Sequence, residues 1–377
     1  MRHAILQKSQ KQSKISHSLL GAAIHDGITL QKGKALLCED DQIIGIKDPE
    51  GLPAICKIRH LDGGYLMPGF VDLQVNGGGG VMFNDDQTLQ TLEVISQAHR
   101  RLGTYTFLPT LITDTQARSQ AAIDAVTAAL AKGVPGIAGI HLEDPHLSIA
   151  RKGAHEPSLI RNMSDADLNM IAEAAQRLPN VMLTVAPESV TLAQIHSLAK
   201  AGVIISLGHT NADYDTCMGY VAAGASNTTH LFNAMEKLGS RNPGLVGATL
   251  DSDNVSAGLI ADGVHVHPAS MRAALRAKRG SGEIYLVTDA MAAAGSNLSH
   301  FTLNVRKIFR RKGTLRLLDG TLAGADIDMP HSIETLIRQV GIDEAKAISM
   351  ATSIPAKLIK LKGDYGLRNT TIQENLV

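Results

Sequence analysis

Four side chains suited to metal-dependent hydrolysis stand at the ends of separate apolar stretches of the sequence. Glu143, His209 and His230 each end one such stretch, and Asp289 ends a fourth. A carboxylate with two imidazoles is a ligand set typical of a catalytic divalent cation. An aspartate on a neighbouring strand end is where the general base for a water nucleophile would stand. The pattern therefore predicts a hydrolase.

These side chains need a fold that brings distant strand ends together. From residue 67 onward, apolar runs alternate with stretches rich in Ala, Leu, Glu and Lys, which is the βα rhythm of a parallel sheet. Eight strands are predicted at 69–75, 104–111, 137–142, 181–186, 203–207, 225–231, 255–260 and 283–288. Six helices are predicted at 89–102, 115–132, 165–178, 192–201, 214–223 and 269–278.

The predicted fold class is α/β, as a TIM-like (β/α)8 barrel whose chemistry lies at the carboxyl ends of its strands. A doubly wound sheet is disfavoured, because the glycine-rich turn at 76–80 has no GxGxxG pattern leading into a helix. Each polar strand-end residue could alone be a helix cap or a satisfied core group. A barrel, however, would bring all of them to one pocket.

The two chain ends predict a second, smaller unit. Residues 1–66 alternate short apolar runs with turn signals, which favours a small antiparallel β module. Beyond the eighth strand we expect a β-hairpin over 301–318, a tight loop at 320–324, and then helices. The tail is expected to rejoin the first segment. The predicted division is a β-sandwich module of 1–66 plus 363–377 and a barrel of 67–362.

Composition excludes several classes of protein. Lys+Arg and Asp+Glu balance at 36 each, so bulk charge gives no reason to expect a nucleic-acid or membrane-surface partner. The three cysteines form no CxxC pair, which argues against a disulfide framework or a thiolate zinc site. Residues 1–14 lack an apolar signal core, and no run of about 18 apolar residues exists. A cytoplasmic enzyme is the expectation.

Several short motifs occur in the order found in one enzyme family. They are MPGFVD at 67–72, QVNG at 74–77, HLE at 141–143, GHTNA at 208–212, THLFNAM at 229–235, DGVH at 262–265, TDAM at 288–291 and GTLAG at 320–324. Together they resemble the N-acetylglucosamine-6-phosphate deacetylase family of the amidohydrolase superfamily. Superfamily barrels usually end their first strand with His-x-His, whereas Gln74 and Asn76 stand there. Amides are poor transition-metal ligands, so a vacant second-metal position and a single cation are implied.

The resemblance implies a role for each matching position. The three predicted ligands would hold one divalent cation, zinc or in some members iron. Asp289 would be the general base and then the general acid, and His155 would bind the acetyl carbonyl and its oxyanion. Arg241 would reach the phosphate bound by a neighbouring subunit, which implies a homodimer. The remaining positions expected to bind the small-molecule amino-sugar phosphate are Ala154, Asn233, Ala234, Asp262, His265, Leu322, Ala323 and Gly324.

The implied reaction converts N-acetylglucosamine-6-phosphate to glucosamine-6-phosphate and acetate in amino-sugar catabolism. The galacto epimer of this substrate is the near alternative. The two epimers differ in the orientation of one hydroxyl, which is recognised by loop contacts that the sequence does not place. A cyclic-amide hydrolase is a second alternative, but it needs two metals and usually a carboxylated lysine at a strand end. A non-catalytic protein with this fold is a third. Asp144 stands where the family has glycine and adds a carboxylate beside a predicted metal ligand, so a shift in metal affinity or substrate preference is an open alternative.

Overall fold

The computed structural model of the protein describes residues 16–39, 42–143, 145–303 and 306–361. The chain divides into two compact units, with the boundary between Pro68 and Gly69. The predicted return of 363–377 to the first unit lies outside the described residues, as does Asp144. The domain division therefore stays a prediction. Within the described ranges, no helix combines the length and apolar character needed to cross a membrane.

The first unit contains seven short strands within its described residues. They are β1 (Ser16–Leu20), β2 (Ala23–His25), β3 (Leu30–Gln31), β4 (Ala35–Glu39), β5 (Gln42–Lys47), β6 (Lys57–His60) and β7 (Tyr65–Leu66). They form a sheet in the order β5-β4-β1-β6 and another in the order β3-β2-β7. Both sheets contribute to one core that includes Leu19, Ile24, Leu36 and Leu66.

The prediction of a small antiparallel module is correct for some strand pairs and wrong for others. Strand β1 pairs antiparallel with β4 but parallel with β6, and β2 pairs parallel with β7. Parallel neighbours need a long connection between them, and the chain from β1 to β6 supplies one by forming β2 to β5 on the way. The alternation of apolar residues along a single strand does not indicate whether its neighbour will be parallel or antiparallel.

The second unit is built on eight parallel strands and a small hairpin. Its strands are β8 (Phe70–Val75), β9 (Gly77–Gly78), β10 (Val81–Met82), β11 (Thr104–Ile112), β12 (Ile140–Glu143), β13 (Val181–Val185), β14 (Ile204–Leu207), β15 (Asn227–Thr228), β16 (Ser256–Leu259) and β17 (Ile284–Leu286). Leaving out the β9-β10 hairpin, they pair in chain order from β8 to β17. Ala290, just beyond β17, bridges to Val75, so the sheet is nearly closed. The predicted TIM-like barrel is confirmed.

The helices alternate with the barrel strands and then continue to the end of the described chain. They are α1 (Leu89–Arg101), α2 (Gln116–Lys132), α3 (Asp165–Arg177), α4 (Leu192–Lys200), α5 (Tyr214–Ala223), α6 (Gly244–Asp251), α7 (Pro268–Ala277), α8 (Met329–Thr335), α9 (Glu344–Ala351) and α10 (Ser353–Leu358). Polar side chains accept backbone N–H groups at the start of each of α1 to α5, namely Thr88, Thr115, Ser164, Thr191 and Asp213.

Helix α6 was not predicted. Every residue from Gly244 to Leu250 is buried, so this helix has no polar face and its sequence shows no amphipathic period. The two helices on either side of it in the chain, α5 and α7, are predicted, like the other helices, from stretches rich in Ala, Leu, Glu and Lys. A helix that is covered on all sides can be recognised only once its neighbours are known.

The segment after the barrel differs from the prediction. Strands β18 (His300–Leu303), β19 (Arg306–Arg311), β20 (Thr314–Arg316) and β21 (Leu322–Ala325) form one antiparallel sheet. The predicted tight loop at 320–324 is therefore partly wrong, because Leu322 already pairs with Arg316. The Ala325 N–H donates to the Asp289 carbonyl oxygen, so β21 runs beside the carboxyl end of the barrel.

Candidate active site

The three predicted metal ligands converge at the carboxyl end of the barrel. Glu143 ends β12, while His209 and His230 follow β14 and β15. Glu143 Oε1 lies 3.1 Å from His209 Nε2 and 3.1 Å from His230 Nε2, and the two Nε2 atoms are 3.1 Å apart. All three side chains are buried. Ligand atoms bound tetrahedrally to zinc stand roughly 3.3 Å apart, so this triangle fits a single cation.

The hydrogen bond that fixes the tautomer of His209 supports the same conclusion. Its Nδ1 lies 2.8 Å from the carbonyl oxygen of Arg151, which can only accept, so Nδ1 carries the proton. In the neutral ring, Nε2 then presents a lone pair to the Glu143 carboxylate. Burial raises the pKa of Glu143, but the two imidazoles outweigh it and hold that pKa well below its usual value. Two facing acceptors are stable together only with a cation or an additional proton between them.

Several residues of the site have a strained backbone. Positive φ angles occur at His209 (46°), His230 (29°) and Asp289 (49°). Each such angle at a non-glycine residue costs on the order of 1–3 kcal/mol. Phe232 and Ala234, in the loop after His230, share this conformation. The surrounding hydrogen bonds therefore hold these loops in conformations that their residues disfavour, as is common where side chains must point into a site.

The two amides at the end of β8 each hold a carboxylate of the site. Gln74 Nε2 donates to both Glu143 oxygens, at 3.3 and 3.2 Å. Asn76 Nδ2 donates to Asp289 Oδ1 at 2.7 Å. Burial, followed by the charge of Glu143, raises the pKa of the partly buried Asp289 to about 6. Such a group can both accept and return a proton near neutral pH.

His155 lies beside the ligand triangle. Its ring centroid is 4.5 Å from that of His209, and its Nδ1 is 2.7 Å from Thr113 Oγ1. Burial, followed by His209, lowers the pKa of His155 to about 3, so the ring is neutral. His155 also has a nitrogen within 4.8 Å of ligand atoms of Glu143 and His209. The 3.1 Å contacts of His230 are tighter, which favours His230 as the third ligand.

Most of the other predicted positions lie in loops around the triangle. Asn233 donates to the His230 carbonyl oxygen at 3.3 Å, and Ala234 follows it. Asp262 Oδ2 is 2.6 Å from His265 Nδ1, while its Oδ1 accepts the His265 N–H, so Asp262 orients that ring. Arg241 is exposed in the loop before α6, and its predicted role towards a neighbouring subunit stays a prediction.

Two further groups of the predicted set lie on either side of the site. Ala154, next to His155, accepts a hydrogen bond from Arg306 through its carbonyl oxygen. Leu322, Ala323 and Gly324 lie on β21, which pairs beside Asp289. Sequence reasoning identified both groups only by their resemblance to family motifs.

Sequence reasoning missed three residues that support the site. The Arg151 carbonyl oxygen accepts a hydrogen bond from the His209 ring, Thr113 contacts His155, and Arg306 donates to the Ala154 carbonyl oxygen. None of the three stands in a motif that the sequence singled out, and two act through or upon backbone groups. A signal for them exists only in the folded chain.

Known proteins resemble this chain in both sequence and fold. Residues 65–367 match the Amidohydrolase family, and the chain belongs to this family of metal-dependent hydrolases. It is 47% identical over 342 residues to the N-acetylgalactosamine-6-phosphate deacetylase of Shewanella sp. (strain ANA-3), covering 90% of this chain and 86% of the relative. It is 34% identical over 355 residues to the N-acetylglucosamine-6-phosphate deacetylase of Haemophilus influenzae, covering 93% and 92%.

A solved structure agrees with these relatives. The crystal structure of N-acetylglucosamine-6-phosphate deacetylase from Pasteurella multocida superposes with a TM-score of 0.88 at 33% sequence identity. The match covers 96% of this chain and 97% of that one. The resemblance drawn from the motifs is therefore confirmed at the level of family and fold.

Proposed function

We propose that this protein hydrolyses the N-acetyl group of an N-acetylated amino-sugar 6-phosphate to give the amine and acetate. N-acetylglucosamine-6-phosphate is the substrate predicted from the sequence. The observation that carries the proposal is the 3.1 Å triangle of Glu143, His209 and His230 at the end of the barrel that also bears Asp289. The names of the relatives at 47% and 34% identity support the substrate class.

One divalent cation, zinc or alternatively iron, would be held by Glu143, His209 and His230. When bound, such a cation polarises an amide carbonyl and lowers the pKa of water from 15.7 to about 7. A single cation is supported by Gln74 and Asn76, because both amide nitrogens already donate to carboxylates. An amide can offer a metal only its carbonyl oxygen, which is a poor ligand for a transition metal.

Asp289 would transfer the proton during the reaction, and His155 would stabilise the negative charge that develops. The Asp289 carboxylate takes a proton from the attacking water and returns it to the departing amine, which is otherwise a poor leaving group. His155 is neutral, and if its Nδ1 accepts from the Thr113 hydroxyl, its Nε2 carries the proton. That N–H can donate to the oxyanion that develops on the acetyl carbonyl.

The substrate phosphate and sugar would be bound by the surrounding loops. His265, oriented by Asp262, would face the phosphate, as would Asn233 and the backbone of Ala234. The β21 residues would line the sugar. In a homodimer, Arg241 of each chain would reach the phosphate in the other active site, where its forked guanidinium suits that anion. We further propose that residues 363–377 complete the module of 1–66, and that the enzyme is cytoplasmic.

A second candidate substrate is N-acetylgalactosamine-6-phosphate, since the 47% identical relative carries that name. An acetate-release assay with both epimers, each with and without the 6-phosphate, separates the two candidates. Both phosphorylated forms are tested with zinc-loaded and iron-loaded protein, and metal analysis should give about one equivalent per chain. Failure to release acetate from either epimer would refute the proposed function. Two equivalents of metal would overturn the reading of Gln74 and Asn76.

A further inference from the structure

His209 is held on two sides by the loop after β12. The Ser148 N–H donates to the His209 carbonyl oxygen at 2.9 Å, and the Arg151 carbonyl oxygen accepts from His209 Nδ1 at 2.8 Å. Both contacts come from one short 3-10 turn, Ile149–Arg151, and the residue before it. The backbone and the ring of His209 therefore depend on where this turn lies.

The side chain of Arg151 fastens that turn to two other loops. Its Nε donates to Asn211 Oδ1 at 2.8 Å, and its Nη2 donates to Glu236 Oε2 at 2.5 Å. The Glu236 N–H in turn donates to the Thr210 carbonyl oxygen at 3.1 Å. Asn211 follows His209 closely in sequence, and Glu236 lies in the loop after His230. One guanidinium thus joins the loops after β12, β14 and β15.

The ion pair of Arg151 with Glu236 is better placed to fix a geometry than an ordinary surface pair. The two side chains are only 27% and 29% exposed, whereas Arg177 and Asp124, which pair elsewhere on the barrel, are 42% and 53% exposed. Exposed pairs contribute about 0–1 kcal/mol, because water and salt screen them. The planar fork of arginine can also hold two acceptors in fixed directions, which a lysine cannot do.

We infer that Arg151 is a positioning residue for the metal site. The Arg151 guanidinium anchors the turn. The backbone carbonyl oxygen of Arg151 then keeps the proton of His209 on Nδ1 and leaves Nε2 free to bind the cation. A neutral imidazole has two tautomers, and the hydrogen bond on one nitrogen decides which nitrogen can act as a ligand. This inference rests on the proposed function, because it assigns Nε2 of His209 to the metal.

Zinc titration of the metal-free protein tests the inference by calorimetry. Loss of groups that orient a ligand typically costs 10–100-fold in metal affinity, and we expect Arg151→Ala to weaken zinc binding about tenfold. The zinc affinity of Arg151→Lys should lie between those of Arg151→Ala and the wild type. At saturating zinc, kcat for acetate release should return to within about twofold of the wild type, since every ligand is present. A purely structural role would not produce a defect that added metal repairs.

The matched control is Arg177→Ala, which removes an ion pair on the surface of α2 and α3 and should leave zinc affinity unchanged. Glu236→Gln serves if Arg151→Ala does not fold, and it should weaken zinc binding in the same direction. Wild-type zinc affinity in Arg151→Ala, or in both Arg151→Lys and Glu236→Gln, overturns the inference. Equal weakening by Arg177→Ala overturns it too. Wild-type protein that binds no zinc or iron would instead remove the proposed function.

Discussion

The hydrogen bond from Asn76 to Asp289 should set the pH at which the enzyme gains activity. Asn76 is buried, and its Nδ2 donates to Asp289 Oδ1 over 2.7 Å, which lowers the pKa of that carboxyl. Burial and Glu143 act in the opposite direction and bring the pKa of Asp289 to about 6. Because the proposed base must be ionised, kcat/KM should rise with pH through the pKa of Asp289.

Asn76→Ala removes one hydrogen bond to a charged group, worth about 1.5–3 kcal/mol. At 1.36 kcal/mol per pH unit, this corresponds to an upward movement of the acid limb by about one to two pH units. Asp289 is only partly buried, so solvent replaces part of the lost bond and about one unit is expected. Asn76→Asp should move the limb further, since it places a second carboxylate beside Asp289. A bound cation lowers the pKa in all variants alike, so the difference between them is the measure.

The assay measures kcat/KM for acetate release at saturating metal over roughly pH 4.5 to 9, a range that brackets the expected pKa values of Asp289. The matched control is Asn180→Ala. Asn180 lies just before β13, at the opposite end of the barrel strands, and the substitution removes its side-chain hydrogen bond to the Ala138 carbonyl oxygen. Asn180→Ala should keep the wild-type acid limb. An unchanged acid limb in Asn76→Ala would show that Asp289 is not the titrating base or that Asn76 does not act on it.

Three more substitutions test the site. Asp289→Asn should retain zinc affinity in calorimetry but lose about 10²–10⁴-fold in kcat, and near-normal turnover would remove Asp289 from the mechanism. Arg241→Ala should raise KM for the phosphorylated substrate roughly tenfold without affecting the unphosphorylated sugar, and an unchanged KM would end its phosphate role. Gly324→Ala should lower the melting temperature and kcat, because its Cβ would lie 2.4 Å from Met291 Cγ and 2.8 Å from the Asp289 carbonyl oxygen. Gly313→Ala has nearly the same φ and no atom within 4 Å, so an equal loss there would mean that backbone strain alone explains the effect.

Local patterns were enough to predict much of the fold. Helix α2 is predicted over 115–132 and extends over Gln116–Lys132, because its alanine-rich composition and its polar cap are local properties. Strand β15 was predicted over 225–231 but covers only Asn227–Thr228. The chain leaves the ladder there because His230 and the residues after it turn into the site. The strand was thus shortened at a functional position, where the demands of the site override the apolar pattern.

The sequence by itself determined which residue types stand at the strand ends and in what order, and therefore the barrel and its candidate ligands. Only the tertiary structure decided what those residues contact. Gln74 binds Glu143 across 69 positions, Asn76 binds Asp289 across 213, and Arg151 binds His209 across 58. The physical reason is that the barrel gathers the carboxyl ends of all its strands at one end, and that its closure brings the first strand beside the last. Hydrogen bonds between loops depend on that closure and leave no periodic trace in the chain.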